Sequence, residues 1–173
     1  MKTLRLLMAV CVFAGTGLAQ ATKPAQPLTA SGAGLEKLKS LAGEWQGTMQ
    51  EGGKDLAATS SFRVVSDGSA VMNVLGAGTP YEMVTMFHQD NLDLLATHYC
   101  GAHNQPRFRM VPSAEANVLN FEFKDATNLS SPDAPHMVGL KITFLNANHH
   151  YEDWTFFQKG QRSTSRFDLH RKS

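Results

Sequence analysis

From Gly43 onward the chain is a succession of short runs whose apolar residues fall on alternate positions. Each run is cut off by Gly, Asn, Asp, Ser or Pro. A period of two sends successive side chains to opposite faces, as a strand does and a helix does not. The runs are Trp45–Gln50, Ala58–Ser66, Ala70–Leu75, Tyr81–Gln89, Leu92–Cys100, Arg107–Pro112, Val118–Asp125, His136–Leu145, His150–Lys159 and Thr164–Arg171. Ten strands at this spacing predict an all-β fold, a sandwich or, as we read it, an antiparallel meander barrel. Asp67-Gly68 predicts a two-residue hairpin. Asp90-Asn91, Asn146-Ala147-Asn148 and Lys159-Gly160 predict three more turns. Ala126–Pro135 is the one long loop.

A short helix precedes the strands. Leu35, Leu38 and Leu41 recur at spacing three in LEKLKSL. A two-turn helix is marginal alone, so this one must dock on something. Residues 21–34 are rich in Pro, Ala, Ser and Thr and predict a flexible linker. Residues 1–20 predict a secretory signal peptide: Lys2 and Arg5, the apolar run Leu6–Ala14, then small residues. That run is too short to span a bilayer. The expected organisation is a leader (1–20), a linker (21–34) and a barrel domain (35–173), exported to the periplasm or beyond.

Charge and cysteine content narrow the partners. The chain has 16 basic and 15 acidic residues. Removing Lys2 and Arg5 with the leader leaves 14 basic against 15 acidic. A near-neutral domain has no electrostatic case for nucleic acid or an anionic membrane. No later run reaches membrane-spanning length. Of the two cysteines, Cys11 leaves with the leader, so Cys100 has no partner for an internal disulfide.

Alternation assigns faces. The expected inward sets are Phe62 and Val64; Leu92, Leu94, Ala96, His98 and Cys100; Leu119, Phe121 and Phe123; and His136, Val138, Leu140, Ile142 and Phe144. On the ninth run, Trp154 and Phe156 share a face with His150 and Glu152. His149, adjacent to His150, takes the other face.

The most chemically capable stretch is Leu92–Met110, LDLLATHYCGAHNQPRFRM. His98 and Cys100 share a face at i and i+2. Together with an inward His136 they would offer donors of the kind zinc accepts. A satisfied core histidine and a polar ligand contact are the other readings of His98. Arg107 and Arg109 share one face and Phe108 and Met110 the other. With the apolar pair inward the arginines form a solvated rim; in the opposite register they form a pocket for a carboxylate or phosphate. Asn104 lies in the turn between these strands. Met83, Met86, Met110 and Met137, with Phe87, Phe108, Phe144 and Trp154, suit either an apolar cavity or a filled core. No nucleophile elbow, HExxH motif or phosphate-binding loop is present in the sequence.

The segment LAGEWQG, with Gly43, Trp45 and Gly47 after a short helix, resembles the opening of lipocalin-like (calycin) barrels. The closing strand SRFDLHR is similar to those of the nitrobindin and fatty-acid-binding branch, and the whole to exported bacterial lipocalin-like proteins. The resemblance implies a barrel with Trp45 plugging its closed end. Nitrobindins hold haem through a late-strand histidine. Here alternation with Phe167 and Leu169 turns His170 outward, so no cofactor is carried over.

The expected function is binding of a small apolar or amphipathic molecule with one polar end. The anticipated ligand-binding residues are His98, Cys100, Asn104, Arg107, His136 and Trp154. The alternatives are a metal protein or enzyme using His98, Cys100 and His136, and a ligand-free barrel that binds other proteins.

Overall fold

The computed structural model describes residues 30–173. The expected leader and linker residues 21–29 lie outside them. One helix, α1 (Ala30–Ser40), precedes ten strands: β1 (Gly43–Glu51), β2 (Lys54–Val65), β3 (Ala70–Leu75), β4 (Met83–Asp90) and β5 (Asp93–Tyr99), followed by β6 (Gln105–Val111), β7 (Val118–Thr127), β8 (His136–Asn146), β9 (His149–Gln158) and β10 (Gln161–Arg171). Each strand pairs with its neighbours in sequence, and β10 returns to β1, closing an antiparallel barrel. Closure leaves no sheet edge exposed.

The turns carry the chemistry that closure needs. At β9–β10 both Lys159 (φ 50°) and Gly160 (φ 75°) are left-handed, the twist a two-residue hairpin requires. Asn91 (φ 54°) does the same between β4 and β5. The Asp67-Gly68 turn is longer than expected. Ser66–Ser69 forms a four-residue loop, with Gly68 N donating to Val65 O and Ser69 N to Ser66 O.

The helix begins at Ala30, not at Leu35, so the linker reading fails for residues 30–34. Propensity argues against a glycine-rich first turn, but packing decides. Ser31, Gly32 and Gly34 are buried. A Cβ on Gly34 would sit 2.8 Å from Met110 Sδ and 2.9 Å from Leu94 Cδ2, so a larger residue would push these two side chains aside. Gln89 Nε2 donates to Ser31 Oγ. Leu35, Leu38 and Leu41 are buried as their spacing predicts, each contributing about 1.5–3 kcal/mol. Trp45 Nε1 donates to Leu41 O at 2.8 Å, and the Arg171 guanidinium covers the Trp45 ring at 4.3 Å. Arg171 also donates to Ser40 O, a carbonyl that the helix end leaves free, and to Ala42 O just beyond it. Together α1, Trp45 and Arg171 close one end of the barrel.

One bulge alters the expected faces. Register shifts between Met137 and Gly139, so Met137 aligns with Phe156 and packs on the core, while His136 aligns with Phe157 on the opposite face. The expected inward positions of His136 and Val138 are thereby corrected, whereas Leu140 and Ile142 face inward as expected. Phe123 stands across from inward Phe108 but is exposed, and a second shift, at Arg107/Phe108, follows it in β7. Leu92 falls in the β4–β5 turn and is exposed. Val64, next to the last residue of β2, lies exposed beyond the core. The centre is filled by bulk: Trp45, Trp154, Phe62, Phe87 and Phe108 are all fully buried.

Candidate functional site

Seven polar or half-polar side chains meet inside the barrel, contributed by two walls. On one wall Ser60 (β2), Asn73 (β3), Thr85 (β4) and His98 (β5) are all buried on the inner face. Asn73 stands across from Thr85 and Thr85 across from His98. On the other wall β9 supplies His150, Glu152 and Trp154 at i, i+2 and i+4, one face of a strand.

Glu152 is the hub. Its side chain is 1% exposed. Oε1 accepts from Ser60 Oγ at 3.3 Å and lies 3.3 Å from His150 Nε2. Oε2 accepts from Trp154 Nε1 at 3.1 Å. Asn73 Nδ2 donates to Ser60 Oγ at 2.7 Å, extending the chain to β3. Among the described residues no lysine or arginine is buried. The hub is therefore held by uncharged or histidine donors.

His98 lies beside this network. Its Nδ1 is 2.9 Å from Thr85 Oγ1, and its ring leans on Trp154 with centroids 4.5 Å apart. Burial pushes its pKa down to about 4, so the imidazole is neutral at neutral pH. A neutral imidazole offers one donor and one acceptor. Nε2 of His98 and Nδ1 of His150 are buried and make no hydrogen bond among the described residues. His150 is wedged against Trp45, its ring centroid 4.3 Å away, and Phe62 at 5.7 Å.

Burial falls off toward the end of the barrel opposite α1. Along β2 the inward positions run from buried Phe62 and Ser60 to half-buried Ala58 and exposed Leu56. Along β10 they run from buried Leu169 and Phe167 to half-buried Ser165 and exposed Ser163. Met49, Met83 and Met137 are half-buried around the same end and pack on the core. His98 and Trp154 lie directly below this apolar rim.

The structure separates the residues singled out from sequence. His98 and Trp154 belong to the interior site. Cys100 does not continue the strand, because β5 stops at Tyr99. It is half-buried in the turn, with Sγ accepting from Ala102 N and burial raising its pKa. Asn104 is buried, and its Nδ2 donates to Pro135 O at 2.8 Å. It thus ties the β5–β6 turn to the loop before β8. Arg107 faces outward and pairs with Asp125 through Nε and Nη2. This is the rim reading, and it removes Arg107 from the expected anchor of a polar end. His136 lies between the Phe123 and Phe157 rings, 5.0 and 5.5 Å away, and its Nδ1 is 2.6 Å from Ala134 O. His98, Cys100 and His136 are not among the metal-capable clusters of the described residues.

The sequence reading missed Ser60, Asn73, Thr85, His150 and Glu152 as site residues. The signal was present. Ser60, Asn73 and Thr85 are polar residues on alternating inward sets of apolar ones, as Asn73 is between Val71 and Leu75, and His150 and Glu152 share the face of Trp154. One concavity, of about 470 Å³, lies on the outer wall, lined by residues including Asn120, Lys141, Asp153 and Arg166.

No family model matches the chain, and no curated protein matches it. Among solved structures the chain is similar to Rv2717c from M. tuberculosis, with a TM-score of 0.53 and 14% identity over 85% of this chain and 100% of that one. At that identity the likeness shows a shared fold.

Proposed function

We propose that this protein is a lipocalin-like barrel that binds a small amphipathic molecule at the end opposite α1. The apolar body of the guest rests on Met49, Ala58, Met83 and Met137. Its polar end reaches His98 below them. The observation that carries this reading is His98 itself, an inward-facing neutral imidazole whose Nε2 has no partner among the described residues. Leaving such an atom unpaired costs about 1–3 kcal/mol, which a guest hydroxyl, carbonyl or amide recovers.

The interior chemistry narrows the polar end. With Arg107 outside and Glu152 inside, nothing compensates an anionic head group, and burying a charge without a partner is costly. The guest's head is therefore neutral. Export belongs to the same reading and rests on the leader-like residues Lys2, Arg5 and Leu6–Ala14. Among the described residues no helix is long and apolar enough to cross a membrane.

Native mass spectrometry of the full chain mixed with 1-decanol tests the proposal. The expected result is a one-to-one adduct, weakened in His98→Leu and abolished in Ala58→Trp, which fills the mouth. An adduct undiminished in Ala58→Trp would overturn it.

A further inference from the structure

We propose that His149, Asp168 and His170 form a binding site for a zinc-class divalent cation on the outer wall of the β9–β10 hairpin. His149 and His170 face each other across the ladder, and Asp168 lies two residues before His170 on the same face. One ligand atom from each of the three falls within 4.8 Å of the others. Asp168 Oδ1 is 2.7 Å from His149 Nε2 and 3.4 Å from His170 Nε2. The two imidazoles stack, with centroids 3.9 Å apart and planes 22° from parallel.

These distances suit the metal. Tetrahedral zinc bonds nitrogen and oxygen at about 2.0–2.2 Å, which puts neighbouring ligand atoms roughly 3.3 Å apart. The two nitrogen–oxygen separations bracket that value, and the stacked rings turn out of parallel to aim both Nε2 lone pairs at one ion. The backbone is already in place, because β10 is bonded to β9 on one side and β1 on the other. Two imidazoles and one carboxylate favour zinc, cobalt, nickel or copper over magnesium or calcium. They leave a fourth position for water.

The surroundings keep the site available. Arg166, two residues before Asp168, gives its hydrogen bonds to Asp153, at 2.7 and 2.9 Å, and acts on Asp168 only through its charge. The hydrogen-bonding partners of Asp168 Oδ1 are thus the two histidines. Gln46 and Thr48 of β1 stand across from His170 and Asp168. The site is independent of the interior guest, because His150, the next residue after His149, points the other way.

A single His149–Asp168 pair would be an ordinary surface contact of small worth. A second imidazole stacked on the first and turned to the same oxygen is more than that contact needs. Isothermal titration of the untagged full chain with zinc chloride decides the matter, with magnesium chloride as the comparison. The expected result is one zinc per chain at micromolar affinity and no magnesium binding. Affinity falls about tenfold or more in His149→Ala and in His170→Gln, while His88→Ala binds as the parent does. Circular dichroism confirms that each variant is folded, and His170, 60% exposed, tolerates change. Cobalt(II) gives the intense visible absorption of a tetrahedral site. No saturable zinc binding below about 100 μM, or binding unchanged in both histidine variants, overturns the proposal.

Discussion

Replacing Glu152 by leucine tests whether the interior polar chain is a working network. The substitution leaves Trp154 Nε1, His150 Nε2 and the Ser60 hydroxyl without their acceptor; Ser60 keeps only the bond it accepts from Asn73. Each stranded buried donor costs about 1–3 kcal/mol, so three give about 3–9. Removing a buried carboxyl returns part of that, since polar burial is itself unfavourable. The net expectation is a loss of about 3 kcal/mol, a large share of the roughly 5–15 kcal/mol that holds a domain together. With a urea slope of about 2 kcal/mol/M, the midpoint falls by about 1.5 M at unchanged slope. Glu152→Gln keeps one acceptor oxygen and loses about half as much. Equilibrium unfolding in urea, followed by tryptophan fluorescence, measures both. The reasoning is refuted if the leucine variant matches the parent, or if glutamine is the more damaging of the two.

Other substitutions probe separate parts of the fold. His98 takes up its proton at about pH 4 when folded and near 6.5 when unfolded. Its contribution to stability is thus intact above pH 6.5 and lost as pH falls toward 4, about 3 kcal/mol in all. Urea midpoints at pH 7.5 and 4.5 should differ less in His98→Gln than in the parent. Gly47→Ala should cost about 3 kcal/mol or more, because its Cβ would lie 1.9 Å from the Asp168 carbonyl oxygen; a thermal melt within a degree of the parent would contradict that contact. Arg171→Ala should cost about 1–2 kcal/mol by uncovering Trp45 and freeing the α1 carbonyls, read as faster amide exchange in α1.

The strand plan was legible because alternation is a local property. Ala70–Leu75 has the same bounds in sequence and structure, and His98 faces inward as its neighbours Leu94 and Ala96 require. What was not legible depends on partners. The bulge beside Val138 is set by the pairing of β8 with β9, and it alone turns His136 away from the core. The helical start at Ala30 reflects the closeness of Met110 and Leu94 to Gly34, which no helix scale contains. Cys100 was placed on the strand with His98 because alternation does not mark where β5 ends. The arginine face was a choice between two registers, and burial of Phe108 decides it. His150, Glu152 and Trp154 were rightly put on one face; that Glu152 gathers donors from both walls is a consequence of closure.

The most direct test of the account is the side-chain nitrogen resonances of His98, recorded at pH 7.5 during titration with 1-decanol and, separately, with decanoate. The two guests share a chain length and differ in head-group charge. Decanol should shift the Nε2 resonance saturably while the imidazole stays neutral, and decanoate should leave it unmoved. A shift with decanoate as large as that with decanol, or no shift with either, would contradict it.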